Sequence, residues 1–150
     1  MSLVTTIADA VVATINASGL LDGFPGAVAE RSYLPRYELR EMQALRVTVV
    51  PKAMTTSAAT RSHASHDITV DVAVQKKLGN VGQAQAQQDG LMDLSEQIAA
   101  YLRRTPLVGQ PNVRWVQTDH TVIYATEHLE QMRQFTAVAA ITFRVMGDVA

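Results

Sequence analysis

The feature that most constrains the fold is a strict alternation of residue types between positions 68 and 75. The apolar members are Ile68, Val70, Val72 and Val74, and the residues between them are Thr69, Asp71, Ala73 and Gln75. Successive side chains of a β-strand point to opposite faces of a sheet, so this period of two predicts a strand with one buried face. No other part of the sequence shows the period as cleanly.

Further strands are predicted on both sides of this one. Residues 45–50 alternate in the same way before Pro51, whose missing N–H predicts the end of the ladder. The other predicted strands occupy residues 28–34, 113–115, 122–124 and 135–145. The odd-numbered residues of the last segment, from Phe135 to Val145, share one face. Residues 118–121 (TDHT) are predicted to form a polar hairpin turn.

Apolar residues at helical spacing predict two amphipathic helices. The first spans about 3–18 and is capped by Gly19, whereas the second spans about 83–104 and is stopped by Pro106. Their apolar stripes consist of Ile7, Val11, Ile15, Leu91, Leu94, Ile98 and Leu102. Both helices are predicted to pack on one face of a mainly antiparallel sheet, so the fold class is α+β.

Composition favours one globular domain spanning residues 1–150. Hydrophobic residues make up 47% of the 150 residues, which is enough for a single core and too apolar for a disordered chain. The sequence has no cysteine, which excludes disulfides, thiolate zinc sites and cysteine nucleophiles. Because the first basic residue is Arg31 and the longest apolar run is 137–141, we expect a cytosolic protein without a signal peptide or membrane span.

A long polar loop is predicted at about residues 52–66. Alanine, serine and threonine dominate this segment, and such a composition buries too little surface to order itself. Long loops of this kind usually carry function or are disordered. We therefore expect the segment to be mobile in the isolated subunit and ordered against neighbouring subunits in an assembly.

The only local cluster with metal-ligand character lies in this segment. His63, His66 and Asp67 would all reach one cation if the loop curled, which keeps a small metal-dependent enzyme as an alternative hypothesis. A flexible loop does not preorganise ligands, so surface histidines are the simpler interpretation. Residues 79–82 (GNVG) lack the Lys-Ser/Thr of a P-loop and are predicted to be a turn. The sequence predicts no catalytic residue, cofactor or metal.

The remaining basic and aromatic groups are predicted to have no binding role. Arg103-Arg104 and Lys76-Lys77 lack the interleaved aromatic residues of a single-strand binding surface, so they are interpreted as solvated. Trp115, the only tryptophan, is predicted to lie in the core. A formal net charge of −1 gives no general electrostatic reason to bind nucleic acid.

With these elements in order, the sequence resembles the tail-terminator and tail-completion proteins of long-tailed bacteriophages. The segments that carry the resemblance are residues 45–51 (LRVTVVP), Arg61 ahead of 67–75 (DITVDVAVQ), 91–102 (LMDLSEQIAAYL) and 135–144 (FTAVAAITFR). Together they extend over most of the chain. The resemblance is one of pattern and element order and includes no catalytic signature.

The resemblance implies a structural virion subunit of the tail or neck, assembled in the host cytoplasm. Such subunits form a ring, usually a hexamer, that caps the tail tube and joins it to the head connector, so the implied partners are further copies, the tube protein and connector proteins. DNA passing through the ring needs no sequence-specific contact. A head-closure or neck connector protein is the nearest alternative, and a ligand-binding module would require a preformed apolar pocket.

Candidate interface residues are basic or lie in the predicted loop. They are Arg31, Arg36, Arg40, Lys52, Met54, Arg61, His63 and His66. Residues 1–30 contain Asp9, Asp22 and Glu30 and no basic residue, whereas Arg31, Arg36, Arg40 and Arg46 follow directly. Because subunits of a ring make heterologous contacts, the two stretches are predicted to meet across a subunit boundary and to weaken with salt.

Overall fold

The computed structural model describes residues 2–33, 45–78, 84–123 and 134–148. The elements in chain order are α1 (Leu3–Ala17), β1 (Val28–Arg31), β2 (Arg46–Ala58), β3 (His63–Lys77), α2 (Ala84–Arg104), β4 (Arg114–Val122) and β5 (Gln134–Asp148). The fold is α+β, as predicted, and more of the described residues belong to the sheet than to the two helices. Neither α1 nor α2 has the length and apolar character that a bilayer crossing requires.

The five strands in the described ranges form a mixed sheet in the order β1-β2-β3-β5-β4. β1 runs parallel to β2, with Val28 opposite Arg46 and Arg31 opposite Val49. The β2–β3, β3–β5 and β4–β5 pairings are antiparallel. The predicted antiparallel character therefore applies to these three pairings and fails for β1.

The first helix forms as its sequence predicts. The Ser2 hydroxyl caps the amino end by accepting from the Thr5 N–H at 3.0 Å. Gly19, at φ +78°, takes the left-handed conformation that ends a helix. A polar group at the buried side of α1 is satisfied, since the Thr14 hydroxyl donates to the Ala10 carbonyl at 2.7 Å and accepts from the Val108 N–H at 3.0 Å.

The apolar stripes of both helices join one hydrophobic core. All seven stripe residues predicted from helical spacing are buried. α1 contacts β1, β2 and β3, α2 contacts β4 and β5, and the two helices contact each other. The core also contains the alternating apolar residues of β3 and β5, with Phe135 and Phe143 as the largest fully buried side chains. Side-chain period and burial thus agree along both helices and the central strands.

The predicted end of the strand at Pro51 is wrong. β2 continues to Ala58, and Pro51 lies opposite Val70 just before a bulge at Lys52. The Ser32 N–H donates to the Val49 carbonyl at 3.0 Å, so Val49 directs its main-chain groups toward the β1 side. Pro51, two residues later, faces the same side. Its missing N–H therefore removes no bond to β3, which is the position where an edge strand tolerates proline.

The predicted long loop at 52–66 is also wrong. Residues 52–58 belong to β2 and 63–66 to β3, and only 59–62 form the connection. β3 is held on its other side by β5, whose pairing extends to Asp148 opposite His63. The composition of residues 52–66 indicates only how many of their side chains can be buried. The segment is ordered by main-chain hydrogen bonds to adjacent strands, which composition does not report.

The predicted turn at 118–121 is a continuous part of β4. The register of β4 with β5 shifts between Trp115 and Gln117 and again between Asp119 and Val122. The polar residues predicted to form a turn therefore lie in a strand with two irregularities. The predicted turn at 79–82, and the ends of the strands predicted at 28–34 and 122–124, lie outside the described residues.

Candidate functional site

The residues at 52–66 form a projecting β-hairpin, here called the distal hairpin. Every residue from 52 to 62 is exposed. Most of the interface residues predicted from sequence lie on it, namely Lys52, Met54, Arg61, His63 and His66. The structure therefore brings these predicted residues together on one surface feature, although as a hairpin and not as a loop.

One edge of the distal hairpin is open. β1 pairs with β2 only up to Val49, and in the described part of the chain no strand follows it along 52–58. The Ala59 N–H donates to the His63 carbonyl at 3.1 Å, so Ala59 faces β3. Because main-chain groups alternate along a strand, those of Met54, Thr56 and Ala58 point away from β3. Among the described residues no main-chain group pairs with this outer side, and residues 52–58 are exposed to solvent.

The side chains along this edge do little to protect it. Between Lys52 and Arg61 there is no charged residue and no proline. Exposed edge strands usually carry charges, proline or bulges that prevent pairing with other chains. Here Pro51 and the bulge at Lys52 interrupt only the base of the hairpin, and Met54 remains 48% exposed beyond them. Residues 52–58 therefore have the properties of an edge strand with which another strand can pair.

The two histidines do not converge on a metal site. They lie three residues apart in β3, so their side chains project from opposite faces of the strand. His66 Nδ1 lies 2.9 Å from the Thr56 hydroxyl, and His63 Nδ1 lies 3.0 Å from the Ser62 hydroxyl. Across the described ranges, no three His, Cys, Asp or Glu side chains are placed to hold one metal ion.

The third member of the predicted cluster has a different partner. Asp67 accepts two hydrogen bonds from the Arg144 guanidinium, at 2.8 and 3.0 Å. This contact joins β3 to β5 and lowers the pKa of the Asp67 carboxyl from its ordinary value. The strand geometry that replaced the predicted loop is what separates the three potential ligands.

The charges predicted to meet across a subunit boundary are partly paired within the chain. Arg31 Nε lies 2.7 Å from Asp9 Oδ1, and Arg46 lies 4.0 Å from Glu30. Hydrogen bonding to Tyr33, with a further contribution from Asp9, raises the pKa of Arg31. These contacts hold β1 against α1 and β2. Because both ion pairs form within the chain, they weaken the predicted charge complementarity between subunits.

The other predicted basic residues differ in position. Lys52 Nζ lies 3.5 Å from Asp71 Oδ2 at the base of the distal hairpin, where it too has an internal partner. Arg61 is exposed in the 59–62 connection at the tip. Arg36 and Arg40 lie outside the described residues.

A surface that the sequence did not predict surrounds Trp115. This residue lies on β4 and is 37% exposed, so its predicted core position is wrong. Its Nε1 donates to the Thr118 hydroxyl at 2.8 Å, which holds the indole in place along the edge of the sheet. Its position follows from the edge location of β4, and a single tryptophan in a short alternating segment gives no signal of that location.

Comparison with known proteins adds no assignment. No protein-family model matches the sequence, and no curated protein sequence matches it. The structural features that bear on function are the distal hairpin, the ion pairs of Arg31 and Arg46, and the surface around Trp115.

Proposed function

We propose that the protein is a structural subunit of a bacteriophage tail or neck, forming a hexameric ring that caps the tail tube and joins it to the head connector. The observation that supports this is the open, uncharged edge of the distal hairpin. A monomer gains nothing from exposing such an edge, whereas an assembling subunit uses it to pair with another chain.

The assembly would proceed by strand addition. A neighbouring strand that pairs with residues 52–58 satisfies the outward main-chain groups of Met54, Thr56 and Ala58. Repeating one heterologous contact around an axis closes a ring. Because Asp9 and Glu30 are held by Arg31 and Arg46 within the chain, main-chain pairing is better suited than charge complementarity to hold neighbours together.

The face of the sheet that the helices cover would lie away from the strand-addition contact at residues 52–58. We infer that both helices lie on the same face, since their stripes share one core with alternate residues of β2, β3 and β5. Such a layer leaves the distal hairpin free to reach the adjacent subunit.

Native mass spectrometry of the intact protein tests the assembly. A closed ring without bound metal is the expected species. Met54→Pro should abolish it, because proline removes the outward N–H of residue 54 and leaves the bonds to β3 intact. Met54→Ala is the matched control, since it removes the same side chain and keeps the N–H, so it should still form rings.

Three outcomes contradict parts of this proposal. A monomer at all concentrations contradicts the ring, and a zinc-bearing monomer favours the metal-dependent enzyme. Rings that persist in Met54→Pro place the contact elsewhere. Tail tubes of the encoding phage distinguish the two structural alternatives: a tail terminator binds the tube end and stops its elongation, whereas a head-closure protein binds the head connector alone.

A further inference from the structure

The surface around Trp115 is a continuous groove between α2 and the edge strand β4. Two adjoining depressions between these elements share Arg103 and Trp115 in their walls, and a third depression at Trp115 is lined by Arg114, Arg144 and Met146 without a residue of α2. A fourth continues from the Glu96 and His120 side chains toward Ile123. The groove therefore follows the length of β4, and β5 and β3 separate it from β2 in the sheet.

One end of the groove is basic. Arg103 and Arg104, in the last turn of α2, and Arg114, at the start of β4, are exposed and line the depression that contains Trp115. In the part of the chain that the structure describes, these guanidiniums form no ion pair, in contrast to Arg31, which Asp9 neutralises. Within the described residues the basic end thus has no counter-charge, and it is complementary to carboxylates or phosphates.

The other end exposes apolar side chains. Met92, Val122 and Ile123 line it beside Ser95, Glu96 and His120, and Ile123 is 58% exposed. Between the ends stands Trp115, a large rigid aromatic side chain of the type that anchors protein contacts. β4 pairs only with β5 among the described strands, so its outer main-chain edge is also available along the groove.

We propose that this groove binds an extended acidic segment of a partner protein. Carboxylates at one end of the segment contact Arg103 and Arg114, an apolar side chain packs on Trp115, and further apolar side chains reach Ile123. The main chain of the segment lies along β4 and pairs where the two irregularities of that strand permit. The surface is distinct from the distal hairpin and does not depend on ring formation.

A peptide fits the whole groove better than a nucleic acid does. Phosphates match the arginines, but Glu96 repels a polyanion further along, and the apolar end offers it no partner. An acidic segment with apolar residues satisfies both ends and the strand edge. Nucleic acid therefore becomes the competing outcome of the test.

Fluorescence of Trp115 provides the measurement, since it is the only tryptophan in the chain. The probe is a ten-residue synthetic peptide with three glutamates at one end followed by alternating leucine and serine. Saturable binding with a blue shift of the emission is expected, because the half-exposed indole becomes covered. The same peptide with lysine in place of glutamate, and single-stranded oligothymidylate, are the comparison probes.

Charge reversal locates the contact. The double variant Arg103→Glu/Arg114→Glu should weaken binding of the acidic peptide by about tenfold or more. The peptide glutamates would then be repelled at the two positions where arginines attract them. Arg61→Glu is the matched control, since it makes the same change at an exposed arginine of the distal hairpin and should leave the affinity unchanged. Circular dichroism confirms that each variant keeps its fold.

Several results would overturn the proposal. Equal affinity for the lysine peptide removes the role of charge, and equal weakening by Arg61→Glu removes the role of this groove. Saturable binding of oligothymidylate in place of the peptide assigns the surface to nucleic acid. Unchanged emission with every probe shows that the groove binds none of these ligands.

Discussion

The two ends of β3 and β5 differ in what lies against them. Residues 68–74 and 135–143 form the covered end, where both helices bring apolar side chains and Val72 is only 2% exposed. At the distal hairpin the same ladder continues, but Met54 is 48% exposed and β2 has no outer neighbour among the described strands. Hydrogen-bonded pairing alone is enough to extend the sheet, whereas burial is what stabilises it. The covered end therefore serves stability, and the distal hairpin is suited to assembly.

The largest expected effect is at the covered end. Phe143→Ala removes a side chain that is 1% exposed and should lower the free energy of unfolding by about 3 to 5 kcal/mol, through lost burial and the cavity left behind. Met54→Ala on the distal hairpin should change it by less than about 0.5 kcal/mol. Chemical denaturation of both variants measures the difference. Equal losses would mean that the hairpin is as well packed as the core.

A smaller effect is expected at the buried hydroxyl that joins α1 to the turn after α2. Thr14→Val keeps the shape of the side chain but leaves the Val108 N–H without its acceptor, which should cost about 1 to 3 kcal/mol. Thr6→Val is the control, because its hydroxyl donates to the Ser2 carbonyl at an exposed position. The two variants should differ in thermal unfolding midpoint, and identical midpoints would show that burial of the Thr14 contact contributes nothing.

A pair of proline variants distinguishes the two sides of the distal hairpin. Thr55→Pro removes an N–H that points toward β3, so it should cost about 1 kcal/mol more than Thr56→Pro, whose N–H points to the open edge. Hydrogen exchange of the Met54→Pro variant, which is expected to be monomeric, gives an independent check, with the Thr55 amide exchanging more slowly than that of Thr56. The opposite order would reverse our assignment of the open edge.

The smallest expected effect is a pH dependence at the contact between Asp67 and Arg144. The Arg144 guanidinium lowers the pKa of the Asp67 carboxyl below its ordinary value of 3.8, so the folded state binds this proton more weakly than the unfolded state. The contribution to stability is therefore complete above pH 3.8 and is lost as the pH falls through the lowered pKa. Denaturant titrations at a series of acidic pH values should show a slightly shallower decline for Asp67→Asn. A decline identical to that of the wild type contradicts this assignment.

Helix positions and the central strands could be predicted because each shows a period that only one structure satisfies. Ile7, Val11 and Ile15 recur at helical spacing, and Val70 and Val72 alternate as a strand requires. Both patterns reflect which side chains are buried, and the structure buries them. The candidate site was predictable only as a set of residues near one another in sequence, from Lys52 to His66.

The conformation of that site was not predictable from local pattern. Thr55 and Thr56 carry no burial signal, and their order depends on β3, which in turn depends on β5 from the far end of the chain. The metal hypothesis for His63 and His66 failed for the same reason, since a flexible loop was expected where a strand separates alternate side chains.

The sequence by itself determined which residues of the two helices and the central strands are buried, because the hydrophobic effect acts on side chains and leaves a period of two or 3.6 in the order of residues. Tertiary structure decided which backbone groups are paired and which charges are neutralised. It placed Trp115 on an edge, paired Asp9 with Arg31, and left the outer side of residues 52–58 without a neighbour among the described strands. Those outcomes depend on contacts between segments distant in sequence, such as β3 with β5, and no local pattern records which strand lies beside another.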